Sequence, residues 1–337
     1  LIACLVSDER IDYSKPVADY WPEFGATGKS AITVAELLSH QAGLPFFDPT
    51  VTAAELENWP LMTHRLAAQK TLWAPGRHSG YHAITWGYLV GELISRTTGL
   101  SVGTYLKQRL ATQLMADCYI GVPDDDHSRC AMLIGPNRLL NQPLRTDPGD
   151  ESERESDEHL SQQPRKDATP SGSPFRIGAI SDSLPPNPLP PNNDPILRPY
   201  KDISQPSWRR AEIPATNGHA SATGLATCYA MASMGGTFAG EQLIKESVMS
   251  LACTEEVPER QDLCLNQRLR RSRGFILNSQ DCYLGPEPKS FGHPGTGGTM
   301  AFADPINRLS FAYVTNQLQA TGAPRSIALI DACYRCL

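Results

Sequence analysis

The sequence predicts an α+β fold in which helices are segregated from the strands of a sheet. The first third of the chain carries apolar residues at helical spacing. Leu309 to Tyr313 alternates large apolar with small side chains, as a strand does. Near the end, Ile327, Ile330 and Tyr334 again recur at helical spacing. Helices first, strands next and a closing helix are the order expected of this fold class.

The helices of the first third are marked by their caps. Thr33 and Glu36 form a Thr-x-x-Glu capping box, which opens a helix from Val34 to His40. A longer amphipathic helix ends at Gly99, where a left-handed C-terminal cap belongs. Ser101 is then the predicted N-cap of the next helix.

The middle of the chain differs in composition from both ends. Residues 136 to 214 hold 15 of the 28 prolines, and Asp147 to Glu158 sets seven carboxylates against one arginine. Proline is excluded from helix and strand interiors, and too few apolar side chains are present to offset the entropy of ordering. We therefore predict a disordered insertion at 137–200 within a single domain, 1–337. A polyproline segment that binds a partner is the alternative.

The last third returns to regular patterns. A helix is predicted from about Ser221 to Met234, where two glycines end it. Gly274 to Leu277 is predicted as a strand, and Ser290 to Ala303 as a glycine-rich strand region. The turn Asp304 to Asn307 then leads into the alternating strand already described.

Composition excludes several classes of protein and site. A net charge of −6 and a pI near 5.8 argue against a nucleic-acid partner, because phosphate contacts need clustered Lys and Arg. No apolar run approaches the ~18 residues of a transmembrane segment. The eight histidines lack zinc-ligand spacing, and no phosphate loop or dinucleotide fingerprint is complete. No metal and no cofactor are predicted.

Several segments of the chain resemble, in the same order, one family of enzymes. They are Ile32–Pro45 (ITVAELLSHQAGLP), Pro75–Tyr81 (PGRHSGY), Asn217-Gly218 with Ala222–Ala226, Phe291–Gly298 (FGHPGTGG), Ala301–Pro305 and Phe311–Asn316. This set resembles the serine β-lactamase-related hydrolases, which include class C β-lactamases, D-alanyl-D-alanine peptidases and related esterases. The match covers residues 11 to 135 and 205 to 337.

The resemblance implies both a fold and an activity. The fold would be of the β-lactamase/D,D-peptidase type, with an antiparallel sheet flanked by helices, a mainly helical subdomain, and the site between them. The activity would be acyl transfer to water through an acyl-serine, on a small ester or amide. A lactamase-like scaffold reused for binding, without catalysis, is the alternative.

The family's nucleophile motif is absent from this sequence. In the family a Ser-x-x-Lys pair carries the nucleophile, but no lysine here follows a serine by three positions. The nearest pattern is Thr104-x-x-Lys107, which lies downstream in a predicted surface helix. The chain opens with Leu1, and Leu1 to Val6 resembles the helix just after the nucleophile. We expect a chain truncated at its N-terminus and inactive by itself, with no signal peptide from which to predict a compartment.

The resemblance also assigns roles to four residues. Tyr81 is the expected proton carrier, although a buried structural tyrosine is the ordinary alternative. Without the motif lysine its phenol should stay neutral, with a pKa near ~10. His293 occupies the Lys or His position of the Lys/His-x-Gly strand, where an electrostatic role and a purely structural one are both open. Gly295 would let substrate approach the strand, and the Thr296 N–H would be one oxyanion donor.

One departure from the family pattern bears on the substrate. In the lactamase branch an asparagine follows two residues after the tyrosine, and here that position is Ala83. The amide that helps to orient an acylamide is therefore absent. The sequence favours a small ester over a β-lactam as the substrate.

The insertion generates a testable prediction. Limited proteolysis of the folded chain should cut first between residues 137 and 200, because exposed, disordered backbone is the preferred site of cleavage. The two fragments should stay associated, and mass spectrometry of the products would locate the cuts. Protection of this span equal to that of the helix around Trp86 would contradict the assignment.

Overall fold

The computed structural model describes residues 1–134, 203–318 and 324–337, and it confirms the α+β class. The predicted insertion at 137–200 lies outside the described residues. Within the described ranges, no helix is both long enough and apolar enough to cross a membrane.

Helices precede and flank the main sheet. The described helices are α1 (Ile2–Ser7), α2 (Val34–Leu38), α3 (Ala53–Leu56), α4 (Trp59–Ala68), α5 (Thr85–Thr98), α6 (Val102–Leu106), α7 (Pro206–Arg210), α8 (Ala222–Ser233), α9 (Glu246–Cys253) and α10 (Pro324–Tyr334). The described strands are β1 (Cys118–Ile120), β2 (Gly218–Ala220), β3 (Thr237–Phe238), β4 (Glu241–Gln242), β5 (Glu255–Gln261), β6 (Arg268–Ser272), β7 (Ile276–Leu277), β8 (Phe291–Pro294), β9 (Met300–Asp304) and β10 (Leu309–Tyr313).

The predicted caps are confirmed. The Thr33 side chain accepts from the Glu36 N–H while the Glu36 carboxylate accepts from the Thr33 N–H, which completes the capping box of α2. Gly99 ends α5 in the left-handed conformation, with φ of 73°. Ser101 caps α6. One boundary differs, because α2 ends at Leu38 and His40 turns the chain with a left-handed φ of 62°.

The main sheet is an antiparallel meander of six strands in the order β10-β9-β8-β7-β6-β5. The sequence patterns did not predict β5 and β6, which are rich in charged residues rather than apolar ones. Ion pairs support these two strands, with Arg270 at 2.5 Å from Glu255 and Arg273 at 2.9 Å from Glu256. Opposite charges on neighbouring strands stabilise pairing without an apolar alternation.

The strand β10 is confirmed, but its burial does not alternate. All five residues are half-buried. Within the described residues the strand is at the end of the sheet and pairs with β9, and α8 packs against both β9 and β10. An end strand has one neighbour in place of two, so neither face is fully enclosed.

The two faces of the sheet belong to different hydrophobic clusters. Leu277, Phe291 and Ala303 join the large cluster that the helices form. Ile276 and Phe302 join a smaller cluster, which includes Ile330 of α10. Neighbouring residues of a strand point to opposite faces, so the sheet is buried on both sides.

The turn after β9 is tied to α10 by one buried carboxylate. Asp304 accepts from the main-chain N–H groups of Ile306 and Asn307 and from the Asn307 amide, at 2.7 to 3.0 Å. Its second oxygen also accepts from the Tyr334 hydroxyl of α10 at 2.6 Å. This carboxylate fixes both the hairpin and the helix that covers the smaller cluster.

The substitution Asp304→Ala should lower the free energy of unfolding by about 2 to 4 kcal/mol, because it leaves several donors without an acceptor. Denaturant unfolding would measure the loss. Asp331→Ala is the matched control, since Asp331 lies in α10 and accepts from the Tyr283 hydroxyl at its surface. An equal loss in the two variants would show that the Asp304 network carries no special weight.

Candidate active site

The structure brings Tyr81 and His293 together. Their ring centroids are 5.8 Å apart with an interplanar angle of 35°, and both side chains are half-buried. Tyr81 lies in the loop before α5, and His293 lies near the end of β8. The two sequence-predicted side chains therefore share one site, between the helical part and the sheet.

The geometry of β8 explains how His293 reaches the end of the sheet. Strand β7 pairs with Phe291 and Gly292 only, so the rest of β8 extends beyond it. A Cβ at Gly292 would lie 2.2 Å from the Ala301 carbonyl oxygen, so only glycine fits there. Pro294 is tolerated because it lies where β7 has already ended.

The loop that carries Tyr81 is held from two sides. The Gly80 N–H donates to the His40 carbonyl at 3.1 Å, and the Leu263 N–H donates to the Ser79 carbonyl at 3.0 Å. A Cβ at Gly80 would lie 2.7 Å from the Trp73 ring, so a larger residue would displace that side chain. The position of Tyr81 is therefore set by its main chain.

Two further histidines support this loop by hydrogen bonds. His82 donates from Nδ1 to the Gly80 carbonyl at 2.6 Å and accepts at Nε2 from the Leu44 N–H at 2.9 Å. His40 accepts at Nδ1 from the His82 N–H at 3.1 Å. Burial lowers the pKa of His82 to about 4, so this imidazole is neutral at pH 7.

A buried ion pair lies against Tyr81, and the sequence patterns did not reveal it. The Arg271 guanidinium of β6 is 2.6 Å from the Asp262 carboxylate, and the two side chains are only 2% and 1% exposed. The guanidinium carbon of Arg271 is 5.6 Å from the centre of the Tyr81 ring. This separation is within the range of a cation–π contact.

Asp262 has its hydrogen-bonding capacity filled. Oδ1 accepts from the main-chain N–H groups of Tyr81 at 3.0 Å and of Cys264 and Leu265 at 2.9 Å. Oδ2 accepts from Arg271. A buried charge is tolerated when its oxygens are bonded in this way.

The signal that could have identified these two residues was weak. Arg271 is one of four arginines within six residues, and Asp262 follows a strand whose burial is irregular. Only the pairing of β5 with β6, which is interrupted by register shifts, shows which arginine turns inward. Such a choice depends on register, which the composition of the segment does not encode.

The pKa of Tyr81 differs from the value expected on the sequence. Burial raises it to about 12; Arg271 opposes this rise and Asp262 adds to it. The expected value near ~10 ignored the loss of solvation. The phenol is neutral at pH 7, as expected, but it is a weaker acid than the sequence indicated.

The pKa of His293 moves in the opposite direction. Burial lowers it to about 4, the bond to Pro294 opposes this, and Arg271 lowers it further. Nδ1 donates to the Pro294 carbonyl at 2.6 Å, which leaves Nε2 as the unprotonated nitrogen. His293 is therefore neutral at pH 7 and cannot supply a positive charge there.

Gly295 and Thr296 form the turn that follows β8. The Gly295 N–H donates to the Thr299 carbonyl at 2.7 Å, and the Gly298 N–H donates to the Gly295 carbonyl at 3.2 Å. Thr296 is exposed at the tip. Among the residues described, no main-chain carbonyl accepts from the Thr296 N–H.

Ser39 and Ser79, which lie close to His40 and Tyr81 in the sequence, are engaged in structural bonds. Ser39 Oγ donates to the Ala35 carbonyl at 2.8 Å, and Ser79 Oγ donates to the Ser39 carbonyl at 3.2 Å. Ser221 caps α8. The described part of the chain also contains no cluster of three or more His, Cys, Asp or Glu side chains that could hold a metal ion.

Comparisons with known families and proteins all identify similarity to β-lactamase-related proteins. The Beta-lactamase family model matches residues 1–333. The esterase/β-lactamase LipL of Mycobacterium tuberculosis (strain ATCC 25618 / H37Rv) is 31% identical over 317 residues, which are 91% of this chain. The chain spans only 64% of the length of that relative.

Solved structures similar to this chain include a penicillin-binding protein homolog and an esterase. A penicillin-binding protein homolog from Caulobacter crescentus is 35% identical with a TM-score of 0.77, and the match covers 100% of this chain and 80% of that one. A family VIII carboxylesterase is 34% identical with a TM-score of 0.80, and the match covers 100% of this chain and 79% of that one.

The buried imidazoles generate a prediction about acid stability. The pKa of His82 is 6.5 when unperturbed and about 4 in the fold, so below pH 6.5 the unfolded chain binds a proton that the folded chain refuses. The free energy of unfolding should therefore fall as pH decreases from 6.5 to 4, by about 1.4 kcal/mol per pH unit for this group. Denaturant unfolding across that range would measure the slope.

His82→Gln should be less stable at pH 7 and should lose part of this slope. His64→Gln is the control, because His64 is an exposed residue of α4. An undiminished slope in His82→Gln would mean that His82 does not contribute to acid lability.

Proposed function

The chain belongs to the β-lactamase family, and on that basis we propose that it forms most of a serine hydrolase that cleaves small carboxylic esters. In the proposed reaction a serine oxygen bonds to the ester carbonyl carbon and the alcohol leaves with a proton. Water then attacks the acyl-serine, which releases the acid and regenerates the serine.

The observation that carries the proposal is the contact between Tyr81 and His293 beside the turn after β8, with ring centroids 5.8 Å apart. Tyr81 would carry the proton between serine and leaving alcohol. The exposed Thr296 would supply one main-chain N–H to the developing oxyanion, and Gly295 keeps the approach to that turn open.

His293 takes a hydrogen-bonding role in this proposal rather than an electrostatic one. Its Nδ1 is committed to the Pro294 carbonyl, and its low pKa keeps the ring neutral at pH 7. Nε2, as the unprotonated nitrogen, acts as a hydrogen-bond acceptor.

The nucleophile is proposed to come from a Ser-x-x-Lys segment that this sequence does not contain. Two observations support this: no such pair occurs among the 337 residues, and the Ser39 and Ser79 hydroxyls are bonded to main-chain carbonyls. The motif lysine would also lower the pKa of Tyr81, because a nearby cation favours the phenolate.

The choice of an ester over a β-lactam rests on Ala83. This residue lies two positions after Tyr81, and its methyl group packs against the large hydrophobic cluster. A methyl group cannot donate a hydrogen bond to an acylamide oxygen. The names of the relatives, a carboxylesterase and an esterase/β-lactamase, are compatible with an ester substrate.

The chain as given should hydrolyse neither short acyl esters nor β-lactams above background, because it lacks the Ser-x-x-Lys serine that would be acylated. A longer protein that carries a Ser-x-x-Lys segment upstream of Leu1 should hydrolyse short esters of p-nitrophenol. In that longer protein, Tyr81→Phe should lower kcat by roughly 10²- to 10⁴-fold, the usual contribution of a positioned proton carrier. Tyr283→Phe is the control, because its hydroxyl donates to Asp331 away from the site.

Labelling with a fluorophosphonate would test the proposed nucleophile directly. A label on one of the serines of the present chain would show that the nucleophile lies within it. A folded, extended protein that takes no label would favour the non-catalytic scaffold.

Ala83→Asn in the extended protein should raise kcat/KM for a β-lactam relative to an ester by about threefold to tenfold, which corresponds to one added hydrogen bond. Parallel assays with nitrocefin and a p-nitrophenyl ester would measure the ratio. Ala83→Val, which adds volume without a donor, is the control. An unchanged ratio in Ala83→Asn would separate this position from substrate choice.

A further inference from the structure

We propose that the buried Asp262–Arg271 pair positions and polarises Tyr81: Asp262 fixes the main chain of the tyrosine, and Arg271 places a permanent positive charge against its ring. The inference rests on the proposed function, in which Tyr81 carries the proton. It assigns roles to two residues that would not touch the substrate. Both are therefore positioning residues.

Asp262 acts on the main chain. Its Oδ1 is 3.0 Å from the Tyr81 nitrogen, and the same oxygen accepts from Cys264 and Leu265. The carboxylate thus ties the loop before α5 to the loop after β5.

Arg271 acts on the ring. Its guanidinium carbon is 5.6 Å from the ring centre, and its side chain is 2% exposed, so water does not screen the charge. The phenolate form of a tyrosine is stabilised by such a cation more than the neutral form. An arginine remains charged at every pH at which the protein is folded.

The other groups around the ring cannot replace this charge at neutral pH. His40 lies with its ring centre 5.2 Å from that of Tyr81, and His293 lies at 5.8 Å. Burial is the main cause that lowers the pKa of these two imidazoles, and Arg271 lowers it further. Both rings are therefore neutral at pH 7. Among the groups that surround Tyr81, Arg271 carries the positive charge and Asp262 the negative one.

Stability alone does not account for the pair. Burying two charges costs several kcal/mol of solvation per ion, and well-packed apolar residues often serve a fold equally well. The pair is oriented with its cationic end towards the Tyr81 ring and its anionic end bonded to the main chain. An electrostatic effect on the phenol requires this orientation, because only the cation then lies against the ring.

The test uses the chain itself, with a fluorinated tyrosine at position 81, and follows ionisation of its phenol by fluorine NMR. Arg271→Gln should make the phenol about tenfold less acidic, because it removes the cation. Asp262→Asn should make it more acidic, because it removes the anion but keeps an oxygen for the Tyr81 N–H. Arg271→Lys should restore most of the acidity lost in Arg271→Gln.

Arg270→Gln is the matched control. Arg270 is the neighbouring residue of β6, pairs with Glu255, and is 29% exposed, so its removal should leave the phenol unchanged. Opposite changes in Arg271→Gln and Asp262→Asn would support the proposal. The proposal would be overturned if the acidity of the Tyr81 phenol changed in the same direction in both variants, or changed no more than in Arg270→Gln. A pair with a purely structural role would alter the acidity of the phenol in the same way in both variants.

Thermal melting of each variant checks that it folds. If Arg271→Gln does not fold, the proposal is tested by whether Asp262→Asn raises or lowers the acidity of the Tyr81 phenol. Asparagine has the same shape as aspartate, so this variant changes the charge and not the packing. The readout needs no turnover. Inactivity of the extended protein would therefore overturn the proposed function and leave this result standing, whereas an active protein with an unshifted phenol would overturn this inference alone.

Discussion

The contact on which the site depends is the hydrogen bond between the Asp262 carboxylate and the Tyr81 main chain, 3.0 Å long. It joins the helical part of the molecule to the sheet, because Tyr81 leads into α5 and Asp262 lies between β5 and β6. Arg271 holds the other oxygen of the same carboxylate. Removing one partner of such a buried pair costs about 3 to 5 kcal/mol, so the three residues depend on one another.

Burial sets the protonation state of the two rings in this site. Burial raises the pKa of Tyr81 to about 12 and lowers that of His293 to about 4, because it disfavours the charged form of each. At pH 7 both are neutral. A hydrolase of the proposed kind needs positive charge beside its phenol, and Arg271 is the group near the ring that carries it here. The proposed Ser-x-x-Lys lysine would add a second cation.

The parts of the fold that could be predicted are those specified by local sequence. The capping box at Thr33, the left-handed Gly99 and the cap at Ser101 each depend on residues within one turn of a helix. The strand from Leu309 to Tyr313 could also be predicted, since its pattern is local. Strands β5 and β6 could not, because they are charged segments that pair through ion pairs and shift register twice.

The sequence by itself determined the fold class, the family and the choice of Tyr81 and His293 as candidate site residues. These depend on helix caps and on the order of the motifs, both of which are local features of the sequence. Tertiary structure alone decided that Arg271, and not Arg270, lies against Tyr81, and that His293 is neutral. Strand register chooses the arginine, and the depth of burial sets the pKa of the imidazole. Both quantities depend on residues distant in sequence, so no local pattern contains them.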